Sequence, residues 1–381
     1  MTARDTEIRA GWFRPSAMET ARAILLPYVV SRAIVLVSLV LTRHLVTALV
    51  VVPKPLATKD GLLGWDAAWY GGIARDGYDA LPTEGLRFFP LYPLITRAVA
   101  LVPGIDTDLA LLVVANLAAL AFGVVLYRFA WAERQDDAFA RRAVWIAFLA
   151  PPAFVLVMGY AEATLMLWSA LTLVALRSRR YGVAAVFGFL AGVTRPVGVL
   201  LAIPALVEAL ANRRSLLPRD IVARVSAVAA PVLGLFTYLA WASDRTDDFF
   251  YPLRVQEDPA RRGEARFPVT NLIDTGRDFF DGDTPTAGIH LLTAAVLIVL
   301  LIVLARRWPL SFTLYAAAAA LVGLSASNLD SLERYSLSTL PFVLAAADIT
   351  DGENRERVTL VALGAALVGF SMLAFAGELV P

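Results

Sequence analysis

Long apolar stretches follow one another through this chain, separated by short polar connections that are rich in arginine. Apolar runs of about 18 residues or more are typical of transmembrane helices, because that length spans the ~30 Å hydrocarbon core. The stretches lie at 23–51, 106–131, 143–159, 162–176, 181–211, 225–242, 286–305, 309–326, 336–349 and 358–377. The pattern predicts an all-α polytopic membrane protein, with about eleven transmembrane helices if 181–211 crosses the bilayer twice.

The arginine-rich connections predict how the chain is oriented. Lys and Arg concentrate in cytoplasmic loops, so the basic clusters should share the cytoplasmic side with the N-terminal residues 1–22. The clusters are "ERQDDAFARR" (133–142), "RSRR" (177–180), "NRRSLLPRDIVAR" (212–224), "RRW" (306–308) and "ENRER" (353–357). Residues 1–381 then form a single integral-membrane domain, with a first extracytoplasmic loop at 53–105 and a second large one at 244–285.

Two segments fit this orientation only as interrupted or submerged helices. Residues 88–103 are short and contain three prolines, which predicts a juxtamembrane helix in the first extracytoplasmic loop. Residues 181–211 lie between two basic clusters and must cross an even number of times. Two short helices meeting at Arg195 and Pro196 satisfy this count. The alternative is a single long tilted helix, which would place one basic cluster on the wrong side.

The amino-acid composition limits the kinds of site and reaction that the chain can support. The chain has 381 residues and is 58% hydrophobic, above the roughly 45–50% of soluble domains, which again favours a membrane protein. It has no cysteine, so disulfides, thiolate metal sites and a cysteine nucleophile are excluded. Its two histidines, His44 and His290, argue against a histidine-based metal site. The net charge of +1 gives no general attraction to nucleic acid, and we expect no such partner.

The stretch "GWDAAWYGGIARDGYD" (64–79) places an acid beside paired tryptophans in the first extracytoplasmic loop. On a helix, Trp65 and Trp69 would share one face, four residues apart. That arrangement predicts a short amphipathic helix at the membrane interface, with Asp66 directed away from lipid into a cavity. The alternative is that Asp66 is a helix N-cap or a solvated loop acid.

Three further motifs place charges on the same predicted side of the membrane. Glu162 in "MGYAEATL" lies between two apolar spans and is costly there unless it faces an arginine or a polar cavity; a loop acid reaching solvent is the alternative. Arg195 in "TRPVG" needs an anionic partner, either Glu162 or a ligand phosphate. "NLDSLERYSL" (328–337) carries Asp330, Glu333, Arg334 and Tyr335 and is otherwise a simple polar connection.

Arg87 precedes "FFPLYP" (88–93), which contains Tyr92. This segment predicts either an aromatic belt at the membrane surface or the wall of a groove for a lipid chain, with Arg87 at a phosphate. A carboxylate and several arginines beside an apolar groove suit transfer of a group from a lipid phosphate. The carboxylate would take a proton from an acceptor hydroxyl, and the arginines would stabilise charge on the departing phosphate.

Five of these motifs, in this order, resemble the PIG-V-type mannosyltransferases of the GT-C superfamily of integral-membrane glycosyltransferases. They are "GWDAAWYGGIARDGYD", "RFFPLYPLITR", "YAEATLMLWSALTLVAL", "AGVTRPVGVLLAIPALV" and "ERYSLSTLPFVLA", and the resemblance covers about 24–348. It implies a GT-C-like bundle and an inverting transfer of a sugar, often mannose, from a polyprenyl- or dolichyl-phosphate donor. The acceptor would be a glycolipid, a cell-envelope glycan or a protein.

The resemblance also implies roles for individual residues. Asp66 falls on the catalytic base, with Asp76 as the fallback; Arg87, Arg195, Arg334 and Tyr92 would contact the donor phosphate or lipid; Trp65, Trp69, Tyr70, Glu162, Glu333 and Tyr335 would line the cavity. No Asp-x-Asp pair adjoins Asp66, so we assign no metal ligand and no cofactor, and the help of a divalent ion stays open. The arginine-rich, cysteine-free composition suggests a bacterial protein, and we expect it in the plasma (inner) membrane. The positions of the basic clusters predict that the active site faces outside.

Two other functions fit parts of the pattern. A transporter or lipid flippase with an intramembrane Arg/Glu site would also bury Arg195 and Glu162. Transporters commonly show two repeated halves with matching interrupted helices, whereas the interrupted segments 88–103 and 181–211 do not match in sequence. A non-catalytic scaffold subunit would not need charged groups gathered on one side. The glycosyltransferase is therefore the preferred prediction.

Overall fold

The computed structural model describes residues 15–49, 59–211, 217–258, 261–282 and 286–379. Within these ranges every regular element is a helix, apart from one isolated antiparallel bridge between Ala265 and Ala326. The predicted cytoplasmic residues 1–14, the start of the first loop at 53–58 and part of the basic cluster at 212–216 lie outside the described residues.

Sixteen α-helices follow one another in the described chain. They are α1 (Ala17–Leu49), α2 (Asp66–Asp76), α3 (Leu91–Val99), α4 (Thr107–Arg134), α5 (Asp137–Leu149), α6 (Glu162–Arg177), α7 (Tyr181–Thr194), α8 (Ala202–Ala211), α9 (Pro218–Thr246), α10 (Tyr251–Arg254), α11 (Pro268–Asp281), α12 (Ala287–Arg307), α13 (Leu310–Leu324), α14 (Leu332–Ser338), α15 (Leu340–Ile349) and α16 (Glu353–Ala376). Short 3₁₀ turns lie at Gly61–Leu63, Tyr78–Ala80, Thr83–Arg87, Pro151–Leu156, Pro196–Leu201 and Val255–Glu257.

Five of the helices in the described ranges are long and apolar enough to cross a bilayer, namely α1, α4, α9, α12 and α16. The chain is accordingly an all-α membrane protein. The helices α7, α8, α13 and α15 are apolar but shorter. The count of about eleven crossings stays a prediction.

Local sequence explains where several helices begin and end. Asp106 caps α4 by accepting a hydrogen bond of 2.8 Å from the Leu109 N–H, and Asp136 caps α5 in the same way. The predicted continuous span 143–159 is wrong as an α-helix. Pro151 and the proline after it lack an N–H, so α5 ends at Leu149 and a 3₁₀ turn follows.

Ion pairs bring most of the basic clusters together at one end of the bundle, here named the basic end. Arg177 pairs with Glu133 at 2.8 Å, and Arg134 and Arg307 share the carboxylate of Asp348 at 2.9 and 3.3 Å. Arg142 is buried and pairs with Asp351 and Glu356, both at 3.1 Å. The predicted clusters at 133–142, 177–180, 306–308 and 353–357 therefore share one end of the molecule.

The segment predicted to be the first extracytoplasmic loop lies, as far as it is described, at the opposite end. The helix α4 runs from Asp108, which pairs with Arg75 of α2 at 2.8 Å, to Arg134 at the basic end. Its 28 residues span about 42 Å at a 1.5 Å rise per residue. The helix α2 is thus separated from the basic clusters by the full length of α4.

The segment 181–211 is interrupted, as predicted from its proline. The helix α7 begins at the basic end, where Tyr181 donates a hydrogen bond of 3.0 Å to the Glu208 carbonyl. It ends at Thr194. Arg195 is extended, with φ −156° and ψ 151°, which is the conformation favoured before a proline. After the 3₁₀ turn, α8 leads back to Glu208 at the basic end. The turn carrying Arg195 therefore lies away from the basic end.

Glycines let α7 approach α9 closely. A Cβ placed on Gly192 would lie 2.3 Å from the Pro231 carbonyl oxygen, and one on Gly234 would lie 2.4 Å from that of Phe189. Only residues without a side chain allow two backbones this close. This contact holds the interrupted helix, and with it Arg195, against α9.

Candidate active site

A cavity of about 710 Å³ lies at the end of the bundle that carries α2, and it is named here the Asp66 cavity. The charged residues that line it come from several parts of the chain and are Asp66, Arg87, Arg195, Asp258, Arg261, Arg262, Asp330 and Arg334. Its apolar lining comes from the 3₁₀ turn after Arg195, from α9 and from α10, through Val197, Val199, Leu200, Leu235 and Leu253. The cavity therefore offers both polar contacts and an apolar surface to a ligand.

Asp66 is the first residue of α2, and the bend before it directs its side chain. Trp65 has φ 59°, a conformation that few non-glycine residues adopt, and its indole N–H donates to the Ala374 carbonyl at 3.1 Å. The Asp66 backbone N–H donates to the Tyr160 hydroxyl at 3.2 Å. The positive end of the helix dipole favours a carboxylate here.

The two carboxylate oxygens of Asp66 have different surroundings. Oδ2 accepts a hydrogen bond of 2.8 Å from Arg334 Nη1. Oδ1 has no hydrogen-bond partner among the described residues, and Asp66 lines the cavity. Asp66 does not act as a capping residue or as a solvated loop acid. Its geometry instead leaves one oxygen available to a ligand.

Four charged residues from four parts of the chain form a network next to the cavity. Arg334 Nη1 also donates to Glu162 Oε1 at 3.1 Å, and the same Glu162 oxygen accepts from Arg195 Nη1. Two carboxylates and two guanidiniums thus balance each other. Of the two partners that the sequence allowed for Arg195, the structure supplies Glu162.

Two other arginines of the lining have no carboxylate partner in the part of the chain that the structure describes. The Arg87 guanidinium lies 5.3 Å from the centre of the Trp69 ring and 4.7 Å from that of Phe88. Arg262 Nη2 donates to the Val322 carbonyl at 3.0 Å, and its guanidinium lies over the Tyr335 ring. Burial lowers the pKa of Arg87, and the negative charge of Asp66 opposes this effect. These two arginines are suited to bind an anion.

Sequence reasoning missed the part of the cavity formed by the second large loop. Gln256, Asp258, Arg261 and Arg262 of this loop line the cavity, next to Ser331 of the segment before α14. The bridge between Ala265 and Ala326 brings this loop to the segment before α14, supported by a 2.7 Å hydrogen bond from the Arg266 N–H to the Ser325 carbonyl. The only signal in the sequence is the adjacent pair of arginines before Gly263, and it is weak.

A histidine joins two of the acids near the cavity. His290 of α12 lies between Asp330, which lines the cavity, and Glu333, which is buried. Its Nδ1 is 2.9 Å from Glu333 Oε1, and its Nε2 is 3.6 Å from Asp330 Oδ1. Glu333 was predicted to line the cavity, whereas the structure places its carboxylate against His290 and outside the lining.

Two other assigned residues also lie away from the lining. Tyr92 is fully buried, and its hydroxyl donates to the Leu111 carbonyl at 2.9 Å, so it does not reach a donor lipid or phosphate. It supports the wall by packing edge-on against Tyr70 at 5.0 Å. Glu162 lies just beneath the lining, where it holds the two arginines.

Asp76 is not part of the cavity. It is the last residue of α2, is exposed, and lies ten residues beyond Asp66, about 15 Å along the helix axis. It is therefore not a fallback base within this geometry.

The aromatic residues of the first loop do line the cavity. Trp65, Trp69 and Tyr70 contribute to it, together with Tyr335 of α14. Trp69 stacks on Phe88 with ring centres 5.6 Å apart. Trp65 lies before α2 rather than within it, so the two tryptophans do not form the predicted stripe on one helix. The tryptophans shape a cavity wall.

Across the described residues, no group of three or more His, Asp or Glu side chains is arranged to hold a metal ion.

Comparison with known proteins assigns neither a family nor a function to this chain. No protein-family model matches this chain, and no curated protein matches its sequence. The resemblance to the PIG-V-type mannosyltransferases remains a prediction from the quoted motifs. The fold and site define an all-α membrane protein with a charged, partly apolar cavity at one end.

Proposed function

We propose that the protein is an inverting glycosyltransferase that moves a sugar from a polyprenyl-phosphate donor to a hydroxyl of a glycolipid, a cell-envelope glycan or a protein. The observation that supports this most is the Asp66 carboxylate, which Arg334 holds through Oδ2 while Oδ1 stays available at a cavity wall. Mannose as the sugar rests on the family resemblance.

In the proposed reaction, Asp66 Oδ1 accepts the proton of the acceptor hydroxyl as that oxygen attacks the anomeric carbon. The bond between this carbon and the donor phosphate oxygen breaks, and the lipid phosphate leaves with the electron pair. A single displacement inverts the anomeric centre and needs one base without a covalent intermediate, as in other inverting transfers. One carboxylate with a free oxygen meets that requirement.

Arginines of the lining are assigned to the leaving phosphate. Arg195 and Arg334 are already balanced by Glu162 and Asp66, whereas Arg87 and Arg262 have no acidic partner among the described residues. Charge-assisted hydrogen bonds from a guanidinium stabilise a phosphate that gains negative charge. We therefore assign the donor phosphate to Arg87 and Arg262, and the donor's hydrocarbon chain to the side lined by Leu235 and Leu253.

The basic end gives the proposed orientation. Positive loops remain in the cytoplasm, so the Asp66 cavity would face outside a bacterial plasma membrane. A donor anchored in that membrane would then reach the cavity from the bilayer.

The test is sugar transfer by purified protein in lipid, with labelled polyprenyl-phosphate sugars as donors. Asp66→Asn keeps the size of the side chain but removes the base, so the turnover number should fall about 10²- to 10⁴-fold while donor affinity is retained. Asp76→Asn is the matched control, because that acid is exposed and outside the cavity, and it should retain full activity. Full activity of Asp66→Asn would remove the base assignment.

Arg262→Ala tests donor binding, as distinct from the proton transfer to Asp66, in the same assay. Losing a charge-assisted hydrogen bond costs about 1.5–3 kcal/mol, so the KM for the donor should rise roughly 10- to 100-fold. Equal donor KM values for wild type and Arg262→Ala would place the phosphate elsewhere.

One observation favours a second function, a transporter or lipid flippase. The interrupted helix at Arg195, with its ion pair to Glu162, resembles the broken helices that form transporter sites. Reconstituted vesicles separate the two functions. Lipid or solute flux that persists in Asp66→Asn, without any sugar transfer by wild type, would favour the transporter.

A further inference from the structure

The helix α11 in the second large loop has one apolar face that the rest of the protein leaves uncovered. Val269, Ile273 and Phe280 are 54%, 52% and 86% exposed. At 100° per residue they lie within about 40° of each other around the helix. Asp278 lies on the opposite side, about 160° from Phe280 around the helix. Asp274, which pairs with Arg277 at 3.1 Å, lies between the two sides. The helix is thus amphipathic, with its apolar side facing outward.

A buried asparagine fixes this orientation. Asn271 is 3% exposed, and its Nδ2 donates hydrogen bonds of 2.9 Å to the carbonyls of Leu324 and Ala326. A side chain bonded at two points prevents the helix from rolling to bury its apolar face against the bundle. Exposure of Val269, Ile273 and Phe280 is therefore built into the fold.

The neighbouring helix indicates what covers this face. The helix α12 begins six residues after α11 ends, is apolar enough to cross a bilayer, and exposes Leu292, Val296 and Val299. Phe279 of α11 packs against Gly288 in the first turn of α12, because a Cβ there would lie 2.8 Å from the Phe279 ring. Lipid around the first turns of α12 therefore borders directly on α11.

The charge of α11 indicates how it would meet the bilayer. The helix carries three aspartates and one arginine, so anionic lipid headgroups do not attract it. Amphipathic helices of this kind insert through their apolar side chains and lie in the plane of the interface.

We propose that α11 is an interfacial helix that lies in the headgroup layer of the membrane, with Val269, Ile273 and Phe280 inserted at the boundary with the acyl chains. Because Asn271 ties α11 to the segment from Leu324 to Ala326, the insertion sets the depth of the cavity-lining residues that follow, Asp330 and Ser331. This inference does not depend on the proposed sugar transfer.

The test uses the absence of cysteine from the chain, which makes every introduced thiol unique. Phe280→Cys and its matched control Asp278→Cys lie on opposite faces of α11, and both positions are exposed, so neither change disturbs the core. Each variant carries a nitroxide label and is reconstituted in phosphatidylcholine vesicles. Collision rates are measured with oxygen, which enters lipid, and with a water-soluble nickel complex present on both sides.

We expect the labels on the two faces of α11 to show opposite preferences for oxygen and the nickel complex. The label at position 280 should collide more with oxygen, and the label at position 278 should collide more with the nickel complex. A label at position 280 that behaves like the one at 278 would overturn the proposal. So would a label at 280 shielded from both agents, because a protein partner would then cover the face. A contrast that appears only when phosphatidylglycerol is added would overturn insertion by apolar side chains.

Discussion

Glu162 is the carboxylate that two arginines of the described site share. It is almost fully buried, yet one of its oxygens accepts hydrogen bonds from both Arg195 and Arg334. Removing one member of a buried ion cluster leaves the others uncompensated, which costs much more than the net stabilisation that the cluster provides. The stability of this end of the bundle therefore depends strongly on a single carboxylate.

Glu162→Gln tests this dependence, since it keeps the shape of the side chain and removes the charge. We expect thermal or denaturant unfolding in detergent to show a loss of about 3–5 kcal/mol, because two guanidiniums lose their shared anion. Glu353→Gln is the control. Glu353 forms an exposed pair with Arg357 at 2.6 Å, and its loss should change stability by less than about 1 kcal/mol. Equal stabilities of the two variants would contradict the buried-network account.

Some of these residues could be predicted from the sequence, because a charged residue inside an apolar segment is easy to recognise. Glu162 and Arg195 stand out in apolar surroundings, where each needs a partner, and their pairing could be anticipated. Arg262 could not be recognised in this way, because it lies in a polar loop among other charged residues. The bridge at Ala265 brings this loop to the cavity. The burial of Tyr92 could not be predicted, because an aromatic residue near lipid and one in a protein core have the same local sequence.

The contact between α7 and α9 is a close approach of two helix backbones that only glycine permits. Gly192 and Gly234 bring backbone against backbone, and the interrupted helix cannot move away without displacing Arg195. The break itself could be predicted from Pro196 and the positions of the basic clusters. The close approach could not, because a glycine in an apolar helix does not indicate which helix faces it.

Gly192→Ala should push α7 away from α9. A methyl group 2.3 Å from the Pro231 carbonyl oxygen forces the backbone to shift, at a cost of about 1–3 kcal/mol in unfolding free energy. Gly182→Ala lies on the same helix with no atom within 4 Å of the new methyl, so its stability should stay the same or rise slightly. Melting temperatures measured in one detergent compare the two variants, and matching values would show that the contact is looser than described.

At the scale of the whole molecule, the chain separates its charges into two ends. The basic end joins arginines to Asp348, Glu133 and Glu208, whereas the cavity end carries the first loop and the network around Asp66. The all-α membrane class followed from hydrophobicity alone. The convergence of segments on one cavity did not, because it depends on how helices far apart in the sequence pack.

Single cysteines should show the orientation directly. Thr83→Cys near the cavity and Asn354→Cys at the basic end are both exposed, and neither change alters the charge that sets topology. A membrane-impermeant thiol reagent should label position 83 on intact cells and position 354 only after permeabilisation. The reverse pattern would invert the proposed orientation, and labelling of both from outside would contradict the separation of the two ends.

The distances along the chain within the charge network have a consequence for biosynthesis. Glu162 and Arg195 are 33 residues apart and can pair soon after both enter the membrane, whereas Asp66 waits for Arg334, which follows 268 residues later. Until then the acid lacks the arginine that donates a hydrogen bond to it in the folded protein. A chain that stops early or inserts one helix the wrong way round leaves unpaired charges in apolar surroundings, where they are costly. The charged residues of the site would therefore also destabilise molecules that are incompletely inserted or folded.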